Sequence, residues 1–131
     1  MRTLLIAFVL LLSAPALAQR GVEREHDRDG GLRSTRYTKD GREYVFTYHA
    51  NGKLASTSEY VGGRRDGLWK VYDEQGTLVV RACFDQGRRC GTWEFFSQAG
   101  TLRGRLTYFE GALAGGEAFD HSGTLLEARA Y

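Results

Sequence analysis

The chain has 131 residues, enough for one domain and not two. Eighteen Lys and Arg stand against 16 Asp and Glu, with the two signs interspersed, so no nucleic-acid footprint and no acidic tail is present. Seventeen glycines against one proline, without a collagen period, point instead to many tight turns.

In chain order, the first element is an export signal. Met1-Arg2 is a short positive start, Thr3 to Leu12 is almost wholly apolar, and Ala16-Leu17-Ala18 is a small-x-small cleavage site. A membrane anchor is the competing reading. It would need about 20 apolar residues, and the run is shorter and broken by Pro15. Residues 1–18 are therefore expected to be removed after Ala18. No Cys follows the site to carry a lipid. The short positive start suggests bacterial export, to the periplasm or outside.

Residues 19–31 are rich in Arg, Asp, Glu and Gly and nearly free of apolar side chains. Such a segment buries too little surface to offset its ordering entropy, and a flexible lead is expected. The folded domain is then 32–131.

From Tyr48 onward the sequence repeats. Gly52-Lys53-Leu54 recurs as Gly76-Thr77-Leu78, Gly100-Thr101-Leu102 and Gly123-Thr124-Leu125, at spacings of 24, 24 and 23. Tyr48, Tyr72, Phe96 and Phe119 stand four residues before these glycines. Tyr60, Phe84, Tyr108 and Tyr131 stand six after the leucines. Trp69 and Trp93 share one repeat position, where the third copy has Glu117 and is one residue short. Within a copy the apolar residues alternate, as in Leu78, Val80, Ala82 and Phe84. Period two is the strand period. Each copy thus supplies two strands. It also supplies a short turn of the type Ala50-Asn51-Gly52, and a longer turn through Gly63-Arg64-Arg65-Asp66-Gly67. The expected fold is all-β, an elongated antiparallel meander of about eight strands, starting near Tyr48 and about 35–40 Å long.

The unit Tyr60-x-x-Gly63-x-x-x-Gly67-x-Trp69-x-x-Tyr72-x-x-x-Gly76-x-Leu78 resembles the MORN repeat in its bacterial variant, and the run from Phe84 to Leu102 resembles it again. The resemblance covers Tyr48 to Tyr131. It implies a β-meander used as an interaction scaffold, sometimes linked to membranes or phospholipids. Bacterial proteins with this variant are also labelled antitoxin-like, in the manner of the YwqK family, which implies a partner protein rather than a chemistry.

Cys83 and Cys90 flank the longer turn of the second copy and should lie opposite each other. In an exported protein a disulfide is their natural state. A redox or metal pair is the alternative, though the spacing is not CxxC and no His is near. His26, His49 and His121 form no zinc motif with them. No glycine-rich loop joins a strand to a helix. No enzyme activity and no cofactor are expected.

Two features remain for binding. The recurring aromatics, Trp69 and Trp93 among them, either stack as the core or present one exposed row; Tyr and Trp suit interfaces. Arg64-Arg65 and Arg88-Arg89 occupy one turn in consecutive copies. They either meet anionic lipid or a cell-wall polymer, or keep a sheet edge solvated. The expected function is a non-catalytic exported scaffold with a protein partner. Association with membrane or envelope polymer through the Arg-rich turns is the alternative.

Overall fold

The computed structural model describes residues 21–131, so the expected export segment, 1–18, lies outside the described residues. The described chain is all-β and contains no helix. Eleven strands run in order: β1 (Glu23–His26), β2 (Leu32–Lys39), β3 (Arg42–Tyr48), β4 (Leu54–Val61), β5 (Arg64–Arg65), β6 (Gly67–Tyr72), β7 (Leu78–Asp85), β8 (Arg88–Phe96), β9 (Leu102–Phe109), β10 (Ala112–Phe119) and β11 (Leu125–Ala130). They form one open antiparallel sheet in which every strand pairs with its sequence neighbours; the short β5 pairs β4 beside β6.

Two kinds of turn alternate along the sheet. The first is the three-residue loop expected from sequence. His49 N–H donates to Lys53 O at 2.8 Å and Gly52 N–H to His49 O at 2.9 Å, around Ala50-Asn51-Gly52. The same two bonds recur at Asp73–Thr77, Ser97–Thr101 and Asp120–Thr124. The loop's glycine sits in the left-handed region, as at Gly52 with φ +82°. Side chains complete the loops: Asp73 Oδ1 accepts from the backbone N–H groups of Gln75 and Thr77 at 3.0 and 2.8 Å.

The second turn is not the longer one expected. It consists of two residues, both at positive φ: Gly62-Gly63, Gln86-Gly87 and Glu110-Gly111. Such a pair makes a primed turn whose twist matches that of the flanking strands. Arg64-Arg65 and Arg88-Arg89 are consequently strand residues, paired with Val61, Tyr60, Asp85 and Phe84. The extra length read as loop is a bulge within the returning strand. In β8 it lies between the Cys83↔Cys90 and Arg81↔Glu94 pairs.

The array also begins earlier than Tyr48. Asp27–Gly31 forms a three-residue-type loop: Asp27 N–H donates to Gly31 O at 2.9 Å, and Asp27 Oδ1 accepts from Asp29 and Gly31 N–H. Asp40-Gly41 makes a two-residue turn with φ +52° and +78°. Gly41, Gly63, Gly87 and Gly111 are thus one series, spaced 22, 24 and 24. Part of the expected flexible lead is strand: β1 pairs β2 with every side chain exposed. Backbone hydrogen bonding to a sheet edge needs no apolar side chains, and composition registers only those.

The sheet is a single layer. One face carries the series Ser34, Ser58 and Ala82, each under a tenth exposed and 24 residues apart, with Phe84 and Tyr108 buried beside them. The other face carries a row of opposed charges. Arg81, Glu94, Arg105 and Glu117 pair in succession across β7 to β10. Arg81 Nε donates to Glu94 Oε2 at 2.7 Å, Arg105 Nε lies 3.6 Å from Glu94 Oε1, and Arg105 Nη1 lies 3.4 Å from Glu117 Oε2. Opposite charges facing each other across strands favour this register over a slipped one.

The Cys83–Cys90 disulfide crosses β7 and β8 on the charged face, with Cα atoms 5.1 Å apart. It closes a short loop beside the bulge, where ladder pairing is interrupted. Replacing both cysteines by alanine is expected to lower the free energy of unfolding by about 2.5 kcal/mol on the chain-entropy estimate. Urea denaturation of the oxidised protein against the double variant checks this.

Candidate binding surface

The rings of the uncharged face form one continuous ladder. Trp69 from β6, Phe84 from β7, Trp93 from β8 and Tyr108 from β9 succeed one another with centroids 5.8, 5.2 and 5.2 Å apart, all tilted or edge-on. Both tryptophans are half-buried. They are neither sealed in a core nor raised as an exposed row. The alternatives left open by the sequence merge into one arrangement: the rings pack on each other along the sheet and keep part of their area toward solvent. The bulge in β8 helps fix this, since Trp93 Nε1–H donates to Cys83 O at 3.0 Å.

The arginine pairs divide between the two faces. Arg65 lies over Trp69 at 4.7 Å and over Phe84 at 5.1 Å. Arg89 repeats the contact one copy later, over Trp93 at 5.6 Å and Tyr108 at 5.5 Å. Each guanidinium covers two rings of the ladder, an attraction of about 0.5–1 kcal/mol at such exposed sites. Arg64 and Arg88 point to the opposite side and stand against the next turn. A side chain placed on Gly87 would meet Arg64 at 3.9 Å, and one on Gly111 would meet Arg88 at 3.5 Å. The six candidate residues therefore fall into two groups. Arg65, Trp69, Arg89 and Trp93 are brought together on one face, and Arg64 and Arg88 are not part of that surface.

These four arginines differ from five others of the sheet. Arg36, Arg42, Arg81, Arg105 and Arg129 each hold a carboxylate. Among the described residues, Arg64, Arg65, Arg88 and Arg89 hold none.

In the third copy the structure corrects the sequence alignment. Trp93 pairs with Leu106, and Leu106 pairs with Gly116. The tryptophan position is thus taken by Gly116, while Glu117 turns to the charged face. The missing residue shifted the alignment by one, and one residue in a strand reverses the face. With no ring there, a shallow hollow of about 300 Å³ opens between Leu106, Gly116, Ala118, Glu127, Arg129 and Tyr131. Sequence reading also missed the apolar side chains at this end. Phe109, Leu125, Leu126 and Tyr131 are all more than half exposed. The available signal was the contrast between copies: Phe109 stands where the earlier copies have Val61 and Asp85, and Leu126 where they have Ala55, Val79 and Arg103.

The histidines contribute little chemistry. His49 Nε2 lies 2.9 Å from Tyr72 O and ties one loop to the next. Among the described residues no group of three or more His, Cys, Asp or Glu is arranged to hold a metal.

One electrostatic cluster links three hairpins. Arg42 on β3 reaches Glu59 Oε2 at 3.2 Å and Asp66 Oδ1 at 2.8 Å, and also donates to the Asp66 carbonyl. Asp66 Oδ2 accepts from the backbone N–H of Gln86 at 3.2 Å and from its side chain at 3.0 Å. These bonds, led by the Gln86 backbone N–H and then the Arg42 guanidinium, lower the Asp66 pKa from its ordinary 3.8. A carboxylate with a lowered folded-state pKa stabilises the fold fully above the ordinary value and loses that effect as pH falls through the lowered one. Asp66→Asn should therefore destabilise the protein at about pH 6 and show a smaller further loss on acidification to about pH 3 than the parent. Thermal unfolding at both pH values measures it. Asp120, lowered by the Ser122 hydroxyl and then the Thr124 N–H, leaves a residual acid dependence in the variant.

The family model for the MORN repeat variant matches residues 44–61 and 65–86. No curated protein matches the sequence. Among solved structures, the chain is similar to a mutant of S. aureus TarM in complex with Fondaparinux, alpha-GlcNAc-glycerol and UDP. There the TM-score is 0.53 and the identity 6%, over 74% of this chain and 20% of that one. A second TarM structure gives 0.51 at 7% identity, over 73% and 19%. The chain thus spans about a fifth of those proteins, and at such identity the likeness concerns the fold alone. The matched segments run from β3 into the turn after β7, on either side of the Gly62-Gly63 turn, and include the first two rings of the ladder, Trp69 and Phe84. Residues 44–61 and 65–86 carry the MORN repeat variant.

Proposed function

We propose that the protein is a non-catalytic, exported scaffold that binds a protein partner in the bacterial envelope through the ring-and-arginine face. The observation that carries this reading is the cluster of Arg65, Trp69, Arg89 and Trp93 on an uncovered sheet face. Trp and Arg dominate the energetics of protein interfaces. Here their rings and guanidinium groups are held by one another before any partner arrives, which lowers the ordering cost of binding. A partner protein also fits the antitoxin-like label that the repeat resemblance brings. The export signal at 1–18 and the disulfide support a periplasmic or secreted location.

A second reading has its own observation. Arg64, Arg65, Arg88 and Arg89 hold no carboxylate among the described residues, which favours an anionic lipid or cell-wall polymer as ligand. Two variants separate the readings. Arg65→Ser with Arg89→Ser removes the cations of the ring face. Arg64→Ser with Arg88→Ser removes the same charge from the other side. For a protein partner, affinity recovery from envelope extracts falls about tenfold with the first pair and little with the second. For an anionic surface, sedimentation with phosphatidylglycerol vesicles falls similarly for both pairs, because charge near a membrane acts with little regard to contact geometry. Equal recovery of the same proteins by the parent and both variants would sink the scaffold reading for this face.

A further inference from the structure

Among the described residues, β11 is paired on one side only, and all six of its residues are exposed. Its hydrogen-bonding phase is fixed by two observations. Tyr131 N–H donates to Ala114 O at 3.0 Å, and Gly115 pairs with Ala130. The odd-numbered residues therefore direct their backbone groups toward β10. Leu126, Ala128 and Ala130 direct theirs away from it, into solvent. This edge has no proline and no lysine, Leu126 on it is 67% exposed, and its two charged residues, Glu127 and Arg129, are of opposite sign, so they oppose pairing only where like meets like.

We propose that this edge pairs with β11 of a second copy of the chain, antiparallel about a two-fold axis through Ala128, to make a continuous sheet across the dimer. The run Leu125-Leu126-Glu127-Ala128-Arg129-Ala130-Tyr131 is complementary to its own reverse. Centred on Ala128, it sets Glu127 opposite the partner's Arg129, Leu126 opposite the partner's Ala130, and Leu125 opposite the partner's Tyr131. Ala128, Leu126 and Ala130 then supply about six intermolecular backbone hydrogen bonds. Glu127 and the partner's Arg129 fall at non-hydrogen-bonded positions, where facing side chains approach most closely.

The competing registers are poor. A two-fold axis through Glu127 pairs Leu126 with the partner's Ala128 but sets Ala130 against the partner's Thr124, whose backbone groups are already bonded to Asp120, and sets the two glutamates face to face. An axis through Arg129 sets the two arginines face to face. Like charges directly opposite are destabilising, so charge selects the Ala128 register. Within one chain Arg129 Nε already lies 2.6 Å from Glu127 Oε1, so both side chains sit on the same face in reach of the facing strand. The area joined is that of one strand pair, which fits a weak, concentration-dependent dimer.

The test is sedimentation equilibrium of the mature chain over a range of concentrations. The parent should dimerise reversibly. Glu127→Arg and Arg129→Glu should each raise the dissociation constant about tenfold or more, since each turns two attractive pairs into repulsive ones. The variant carrying both substitutions should recover dimerisation, and a mixture of the two single variants should form the heterodimer. Ala128→Pro should abolish pairing with the monomer's strand content unchanged by circular dichroism, because the lost N–H faces away from β10. A parent that stays monomeric throughout, or a dimer indifferent to all of these changes, would overturn the proposal.

Discussion

A sheet with no layer packed on either face must shield itself, and the rest of this structure follows from that constraint. No helix or second sheet is available to cover it among the described residues. Apolar contact has to be made between side chains on the same face, leaning across neighbouring strands. Rings serve this best, because each is wide enough to reach the next strand's side chain. Trp69, Phe84, Trp93 and Tyr108 touch in sequence for this reason, and Arg65 and Arg89 lie on top as a partial cover. The small residues Ser58 and Ala82 are buried in the same rows. The cover remains incomplete: the largest side chains are half-buried, and no large side chain reaches full burial.

Much of this was legible in the sequence because the constraint is local. A strand pairs with its neighbour in sequence, so the 24-residue spacing gives the topology, and the alternation around Phe84 gives the face. The three-residue loop could be read from Gly52 and its equivalents, since a left-handed position closes that loop. What failed was the reading of Gly63 to Gly67 as one loop. Positive φ at Gly62 and Gly63 places the turn before the arginines, and two glycines with two arginines and an aspartate resemble loop composition. The bulge that absorbs the extra residues is marked by Gly67 and Gly91, both at positive φ, but in composition these glycines look like loop glycines. The earlier start was hidden differently. Gly41 lies only 11 residues before Gly52, a glycine of the other turn, and its counterpart is Gly63 at a spacing of 22.

The candidate site was only partly legible. Recurrence picked out the right residue types but could not tell which of two adjacent arginines shares the tryptophan face. That depends on the tight turn, since one residue's difference in turn length exchanges the two. The same sensitivity moved Gly116 into the tryptophan position and sent Glu117 to the charge row on the opposite face. Copy-to-copy differences therefore carry more positional information than the repeated residues do.

Energetically such an array behaves as a chain of nearest-neighbour contacts. Among the described residues the strands along the sheet have a neighbour on each side, while β1 and β11 have one each. The Arg42–Asp66–Gln86 cluster joins three hairpins, and the disulfide secures β7 to β8, so the reinforcement lies in the middle of the sheet. At the two ends the side chains diverge. β11 exposes Leu125 and Leu126 beside a single Glu127–Arg129 pair, while β1 carries only Glu23, Arg24, Glu25 and His26. Charged side chains along a free edge discourage further pairing, and apolar ones permit it. The two ends of one repeating sheet are thus chemically unequal. This asymmetry, which repetition alone does not produce, gives the array a direction in which pairing can continue.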